Sequence, residues 1–156
     1  MAKVKPRPRK KERELATLEL VTNAAKYAHS DIIVQIGIND LRSPADASAQ
    51  QLIDGYEQLI ERAHARGLRI AGATLLPFQG ADFYTAAREA TREAVNAWIR
   101  TAGAFDAVID FDAVMRDPAS PLSLRPAYSS PDHLHPNDAG YRAMAAAISL
   151  PMLLNG

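Results

Sequence analysis

The chain alternates between two kinds of hydrophobic pattern. In four segments the apolar residues recur at steps of three and four, which predicts helices at 12–28, 48–66, 83–101 and 137–150. The second of these is the clearest, because Gly67 follows it where a helix C-terminal cap belongs. On the third, the spacing predicts an inward-facing stripe made of Ala87, Ala90, Ala94, Val95, Trp98 and Ile99.

Shorter apolar runs lie between these segments, at 32–36, 68–76 and 105–111. The first run is β-branched and does not alternate with polar residues, which predicts a strand buried on both faces. Strands that alternate with helices are typical of the α/β class, here a three-layer α/β/α arrangement with a parallel sheet. Residues 112–131 are rich in Pro, Ser and Asp and are predicted to form a long irregular connection.

Polar side chains stand where the predicted strands end. Asn39 and Asp40 follow the first strand, and Asp110 and Asp112 lie at the end of the third. Ligands of parallel α/β sheets bind at the carboxyl ends of the strands. The pattern therefore predicts that the candidate chemistry collects along one rim of the sheet.

Composition narrows the classes of function. A chain of 156 residues predicts one domain, over residues 15–156, and the formal net charge of +0 gives no indication of a nucleic-acid partner for the chain as a whole. Residues 1–14 are strongly basic and contain prolines. We interpret them as a solvated, disordered tail, and the alternative is an arm that binds RNA or a membrane surface.

The sequence also excludes some chemistry. It contains no cysteine, so disulfides, thiolate nucleophiles and thiolate zinc sites are excluded. No run approaches the ~20 apolar residues of a membrane span. The basic start is not followed by the apolar region of a signal peptide. The compartment stays open.

The segment Asp132-His133-Leu134-His135-Pro136 has the features of a general base. Asp132, three residues before His135, can hold the imidazole ring by a hydrogen bond. The positive end of the following helix disfavours the protonated ring, whereas the carboxylate of Asp132 favours it. The alternatives are a surface histidine in a turn, or a two-histidine metal site with His133. The metal site would need further ligands that the sequence does not specify, so we predict no metal.

Asn39 is the second candidate. A side-chain amide after Gly37, at the end of a buried strand, can donate a hydrogen bond to charge that develops on a substrate oxygen. The alternative is an Asx-turn that ends the strand, with Asp40 capping it. The residues alone leave these two interpretations open.

Together, Gly37-Ile38-Asn39-Asp40 and Asp132-x-x-His135-Pro136 resemble the SGNH hydrolases, also called the GDSL lipase/acylhydrolase family. The resemblance extends from about residue 31 to 150 and implies a flavodoxin-like α/β/α fold. It implies that Asn39 is an oxyanion-hole donor, with Gly37 and Asp40 in its supporting loop. It also implies that His135 and Asp132 are the base and acid of a Ser-His-Asp triad that hydrolyses a small ester without a cofactor.

The chain departs from that family in one respect. The nucleophilic serine of the family lies in a Gly-Asp-Ser block after the first strand, and this sequence contains no such block. Ser129 and Ser130 are near His135 in the sequence, but we interpret them as loop residues. We therefore expect a domain that is incomplete at the N-terminus, has no identified nucleophile, and is inactive or nearly so.

Two other classes of function are alternatives to the ester hydrolase. One is a non-catalytic binding protein on a degenerate hydrolase scaffold, with an open sheet edge at 32–36 that could take a partner strand. Another is a nucleic-acid-associated protein that works through the basic residues 1–14. For the hydrolase, a partly apolar cleft is predicted to be lined by Leu76, Phe78, Phe83, Tyr84 and Tyr128.

Overall fold

A computed structural model describes residues 31–43, 46–149 and 151 of the chain. The predicted basic tail and the predicted helix at 12–28 lie outside these residues. The described helices and strands follow one another as β1 Asp31–Val34, α1 Ile38–Leu41, α2 Ala49–His64, β2 Arg69–Ala73, α3 Ala86–Thr101, β3 Ala107–Ile109, α4 Phe111–Met115, β4 Arg116–Asp117, β5 Ser120–Leu124 and α5 Asp138–Ala147.

The strands β1, β2 and β3 form a parallel sheet in that order. β2 is the central strand, with Ile70 opposite Ile32 of β1 and Ala71 opposite Ala107 of β3. The ring of Phe105 packs directly on Gly72 of β2. Glycine is required there because a Cβ would stand 2.3 Å from the ring. The prediction of a parallel sheet is confirmed.

The two faces of the sheet are covered by different helices. On one face Ile32, Val34 and Ile70 pack with α2 and α3 in a buried cluster. On the other face Ala71 and Ala73 pack with residues of α4 and α5. Alternate residues of β2 thus enter different clusters, as the period of a strand requires. The three-layer α/β/α class is confirmed, and no helix among the described residues is long and apolar enough to cross a bilayer.

Strand β1 is less buried than its sequence predicts. Ile33 is 41% exposed and Ile36, beyond the end of the strand, is 53% exposed. Within the described part of the chain, β1 pairs only with β2. The prediction that both faces of this strand are buried is therefore wrong for the described structure.

The predicted irregular connection at 112–131 is also wrong in part. Asp110 ends β3 and caps α4, because its carboxylate accepts a hydrogen bond from the amide of Ala113. After α4 comes the antiparallel ribbon of β4 and β5, whose turn is closed by a bond from Ala119 N–H to Asp117. Local capping and turn bonds thus build structure where composition indicated a loop.

The buried face of helix α3 matches the predicted stripe only in part, and Trp98 of that stripe packs against the buried cluster. Val95 and Ile99 are buried, but Ala87, Ala90 and Ala94 are exposed. The polar side chains of Glu89, Arg92 and Asn96 occupy the buried face instead. Alanine favours helix on either face, so its spacing did not identify the face that packs on the sheet.

Candidate functional site

The segment that carries His135 is a closed loop between residues 128 and 137. Ser130 N–H donates to the carbonyl oxygen of His135 at 2.9 Å, and Asn137 N–H donates to that of Tyr128 at 2.8 Å. His133 N–H donates to the carbonyl oxygen of Ser130 at 3.1 Å. These backbone bonds fix both ends of the loop, so His135 has a defined position although it is exposed.

Asn137 joins this loop to helix α5. Its side-chain oxygen accepts hydrogen bonds from the amides of Ala139 and Gly140, which caps the helix. Its amide nitrogen donates to the carbonyl oxygens of Ala127 and Ser129. The predicted helix start after Pro136 is confirmed, and one side chain connects the two ends of the loop.

Asp132 and His135 are held together as a pair. Oδ2 of Asp132 lies 2.6 Å from Nδ1 of His135, and Oδ1 accepts the backbone N–H of Leu134 and of His135 at 3.1 and 3.0 Å. The hydrogen bond with the His135 ring, followed by these backbone bonds, holds the pKa of Asp132 well below its ordinary value. Because a carboxylate only accepts, the neutral ring carries its proton on Nδ1 and leaves Nε2 as the basic nitrogen.

His133 has a structural role in the same loop. Its backbone is left-handed, with φ 55°, and its side chain covers Gly80 so closely that a Cβ on Gly80 would stand 2.8 Å from the imidazole. Within the part of the chain that the structure describes, no group of three or more His, Cys, Asp or Glu side chains could hold a metal ion.

Leu134 anchors the loop from below. It packs against a buried cluster of Phe78, Ala81 and Phe83, in which the two phenyl rings stack at 5.1 Å between centroids. Phe78 is fully buried. The rings predicted to line a cleft at these positions therefore support the His135 loop instead.

The Gly37–Asn39 turn lies at the carboxyl end of β1. Gly37 has φ 122°, a conformation that favours glycine, and its carbonyl oxygen accepts the N–H groups of Asp40 and Leu41. The buried hydroxyl of Tyr56 donates to the carbonyl oxygen of Ile36, and burial together with the charge of Asp40 raises the pKa of that hydroxyl. Asp40 lies within α1 and Gly37 is its N-cap, so the alternative in which Asp40 caps an Asx-turn does not describe this segment.

A cleft of about 150 Å³ opens between this turn and the His135 loop. It is lined by Gln35, Ile38, Leu75, Leu76, Leu134, His135, Pro136, Tyr141 and Met144. Asn39 is exposed next to Ile38 but is not among the lining residues. Of the five residues predicted to line the cleft, Leu76 alone does so. The structure thus brings His135 and the β1 turn to one cleft, with Asn39 outside its wall.

The floor of the cleft is fixed by two buried residues that the sequence patterns did not indicate. The side chain of Asn96 accepts the N–H of Leu75 at 2.7 Å and donates to its carbonyl oxygen at 2.8 Å. Arg92 donates to the same carbonyl oxygen at 3.0 Å. Polar residues on the inner stripe of α3 were the available signal. They clamp the backbone where β2 meets the cleft.

Arg92 also belongs to a buried ion network. Its guanidinium group donates to Glu89 at 2.6 Å and to Asp112 at 3.1 Å. Asp112 further accepts from Arg100 and Arg116, and its amide donates to the hydroxyl of Thr74. A buried carboxylate with this many partners is already satisfied.

Asp110 is satisfied in the same way. Burial alone would raise its pKa, but hydrogen bonds from Arg100, the Ala113 amide and Thr74 together hold that pKa below its ordinary value. Asp110 and Asp112, expected among the chemistry of the rim, thus have structural partners.

Ser129 lies in the same loop as His135, and its hydroxyl bonds away from that histidine. The hydroxyl of Ser129 donates to the carbonyl oxygen of Ser130 at 2.9 Å. Among the described residues, no serine hydroxyl forms a hydrogen bond with the ring of His135, whose bonded partner is Asp132.

Comparison with solved structures identifies the fold. The chain resembles a GDSL-like lipase from Bacteroides thetaiotaomicron at 21% identity and a TM-score of 0.64, over 77% of this chain and 60% of that chain. It resembles a protein from Bacteroides fragilis assigned as an acylhydrolase at 18% identity and a TM-score of 0.67, over 87% of this chain and 69% of that one. The match to an acetyl esterase mutant has 18% identity and a TM-score of 0.55, over 85% and 63%.

These structural matches show the shared fold, and the chain spans 60% of the length of the Bacteroides thetaiotaomicron lipase. No curated protein matches the chain. A family model described as GDSL-like Lipase/Acylhydrolase family matches residues 10–143, which is most of the 156 residues. The family resemblance of the Gly-x-Asn-Asp and Asp-x-x-His blocks is confirmed, and the chain belongs to the GDSL-like lipase/acylhydrolase family.

Proposed function

We propose that this chain carries the acid–base half of a serine ester hydrolase. His135 is the general base and Asp132 orients its ring, and the observation that carries the proposal is the 2.6 Å contact between Asp132 Oδ2 and His135 Nδ1 at the edge of the cleft. The substrate is a small ester, and no cofactor takes part. The family to which the chain belongs supports this class of reaction.

The pair suits proton transfer because the two ring nitrogens of His135 have different roles. Nδ1 is held by Asp132, so Nε2 accepts the proton of an attacking hydroxyl and later returns it to the leaving alcohol. Asp132 stays ionised and stabilises the imidazolium that forms. A positioned acid–base group contributes about 10²–10⁴ to the rate.

Asn39 is proposed as the oxyanion donor. It is exposed on α1, one residue beyond Ile38 of the cleft wall. In a form of the protein that hydrolyses esters, Asn39→Ala is expected to lower kcat by about 10²–10³ while leaving KM nearly unchanged.

The sequence lacks the Gly-Asp-Ser block of the family, so we propose that it lacks the nucleophile as well. Loss of the triad nucleophile costs about 10⁶ in kcat. We therefore expect ester hydrolysis by this chain at or near the background rate.

The test combines turnover with covalent labelling. The purified chain and its His135→Ala variant are assayed with p-nitrophenyl acetate and treated with a fluorophosphonate probe, followed by peptide mass spectrometry. We expect rates at the buffer blank and no labelled serine. Turnover that His135→Ala abolishes, together with a labelled serine, would show that the chain does contain a nucleophile. Turnover that survives in the variant would remove His135 from the chemistry.

One observation supports a second candidate, a non-catalytic interaction protein. Ile33 and Ile36 are exposed at β1, and within the described residues only one edge of this strand is paired. An exposed apolar edge strand can pair with a partner strand. This candidate predicts self-association or partner capture that Ile33→Lys abolishes, and a monomer at high concentration in light scattering would count against it.

A further inference from the structure

We propose that the cleft beside His135 binds the acyl part of the ester, and that it takes uncharged acyl groups of up to about six carbons. This inference rests on the proposed function, because it assigns a substrate class to the same site.

The volume of the cleft sets the size of the occupant. It holds about 150 Å³. An apolar protein cavity of roughly 150 Å³ holds benzene, which has six carbons. A hexanoyl group has the same number of carbons, and a longer chain would extend beyond the wall into water.

The wall selects an apolar occupant. Six of the lining residues are aliphatic or sulfur-containing: Ile38, Leu75, Leu76, Leu134, Pro136 and Met144. The lining described by the structure includes no Asp, Glu, Lys or Arg. A charged acyl group would thus lose its hydration with no partner to replace the water, and a sugar would find few hydrogen-bonding groups.

Burial gives the cleft a direction. Leu75 and Met144 are buried at 2% and 8% exposure, whereas Tyr141 is 54% exposed. His135 is also exposed, with 63% of its side chain accessible. The cleft is therefore buried at Leu75 and Met144 and open at Tyr141 and His135. An acyl chain directed towards Leu75 and Met144 leaves its carbonyl group at the rim, where His135 stands.

The experiment measures binding without catalysis. Methyl ketones imitate the acyl group and cannot be hydrolysed, so 2-butanone, 2-pentanone, 2-heptanone and 2-nonanone are titrated into the ¹⁵N-labelled chain and followed by NMR. We expect shifts at Leu76, Leu134 and Met144, and a Kd that falls roughly fourfold per methylene up to 2-heptanone and then levels off.

Two buried methionines supply a matched pair of variants. Met144→Ala enlarges the cleft, so 2-nonanone should bind several times more tightly than in the original chain. Met115 lies in the same core cluster as Met144 but does not line the cleft. Met115→Ala should leave the ketone series unchanged. Leu76→Phe provides a test that needs no cavity, because the larger ring should end the affinity gain at 2-pentanone.

The outcomes separate this inference from the proposed function. A flat ketone series, shifts away from the cleft, or a series that Leu76→Phe leaves unchanged would overturn the assignment of the cleft, whatever His135 does. A series that behaves as expected, combined with ester turnover that survives in His135→Ala, would support the cleft and overturn the proposed acid–base pair.

Discussion

Two histidine–carboxylate pairs lie at opposite ends of the sheet. Asp132 and His135 lie at the cleft beyond the carboxyl ends of the strands, and His64 and Asp106 lie where β2 and β3 begin. The distances are similar, 2.6 Å in the first pair and 3.0 Å in the second. The pairs share their chemistry and differ in the ring nitrogen that is held and in what else the carboxylate binds.

Asp106 uses its carboxylate to connect parts of the fold. Its Oδ2 forms a hydrogen bond with the ring nitrogen Nε2 of His64, at the end of α2. The same oxygen accepts a hydrogen bond of 2.7 Å from the backbone N–H of Ile70 in β2. Among the described residues, Asp132 instead binds only N–H groups of its own loop and Nδ1 of His135. The remaining contacts of the carboxylate thus distinguish a structural histidine from a candidate catalytic one.

The largest expected loss of stability comes from the buried ion network. It gives an upper reference for the loss expected from either histidine–carboxylate pair. Arg92→Ala leaves the buried carboxylate of Glu89 without its partner and should lower the free energy of unfolding by about 3–5 kcal/mol. The measurement is urea denaturation. The control is Arg42→Ala, which removes an exposed pair with Asp82 and should cost at most about 1 kcal/mol. Equal effects in the two variants would contradict the burial argument.

A smaller effect should separate the two histidine pairs directly. Asp106→Ala removes the acceptor of the partly buried Ile70 N–H and should lower the free energy of unfolding by about 1–3 kcal/mol. Asp132→Ala exposes its former donors to water, so we expect a clearly smaller change. A destabilisation by Asp132→Ala that matched or exceeded that of Asp106→Ala would reverse the structural assignment of the two pairs.

The smallest expected effect is a difference in acid sensitivity. Burial would raise the pKa of Asp106, but hydrogen bonds from the Ile70 amide and His64 hold it below its ordinary value of 3.8. The unfolded chain therefore takes up this proton first as the pH falls, so the stabilisation is present above about pH 4 and is lost below it.

Asp106→Asn removes this group from the titration. Its midpoint of urea unfolding should fall less steeply than that of the original chain as the pH falls below about pH 4. The midpoint of Asp132→Asn should follow the original chain more closely, because water screens an exposed pair. Parallel curves for the original chain and Asp106→Asn would disprove the link between Asp106 and acid stability.

The sequence predicted the candidate catalytic pair and missed the structural one for a physical reason. Asp132 and His135 are three residues apart within one loop, so their contact is local. His64 and Asp106 are 42 residues apart, and only the parallel pairing of β2 and β3 brings their elements together. A single sequence carries local spacing and does not state which remote side chains meet.

The same limit explains the polar face of α3. The helix itself was predicted from its apolar spacing, and the structure adds Thr85 as its N-cap. Two of the partners of Arg92, however, are Leu75 and Asp112, which lie 17 and 20 residues away. Without them, Glu89 and Arg92 have the composition of a solvated helix face. The cleft could not be predicted in detail either, because its floor depends on this buried clamp.

The tautomers of the two histidines directly test whether Nε2 of His135 is free to act as the base. A long-range ¹H–¹⁵N NMR spectrum of the neutral imidazoles, assigned with His64→Gln and His135→Gln variants, reports which nitrogen carries the proton. We predict opposite tautomers, with the proton on Nδ1 of His135 and on Nε2 of His64. Each carboxylate accepts a hydrogen bond from the ring nitrogen that faces it. A proton on Nε2 of neutral His135 would contradict the account, since that nitrogen could then not act as the base.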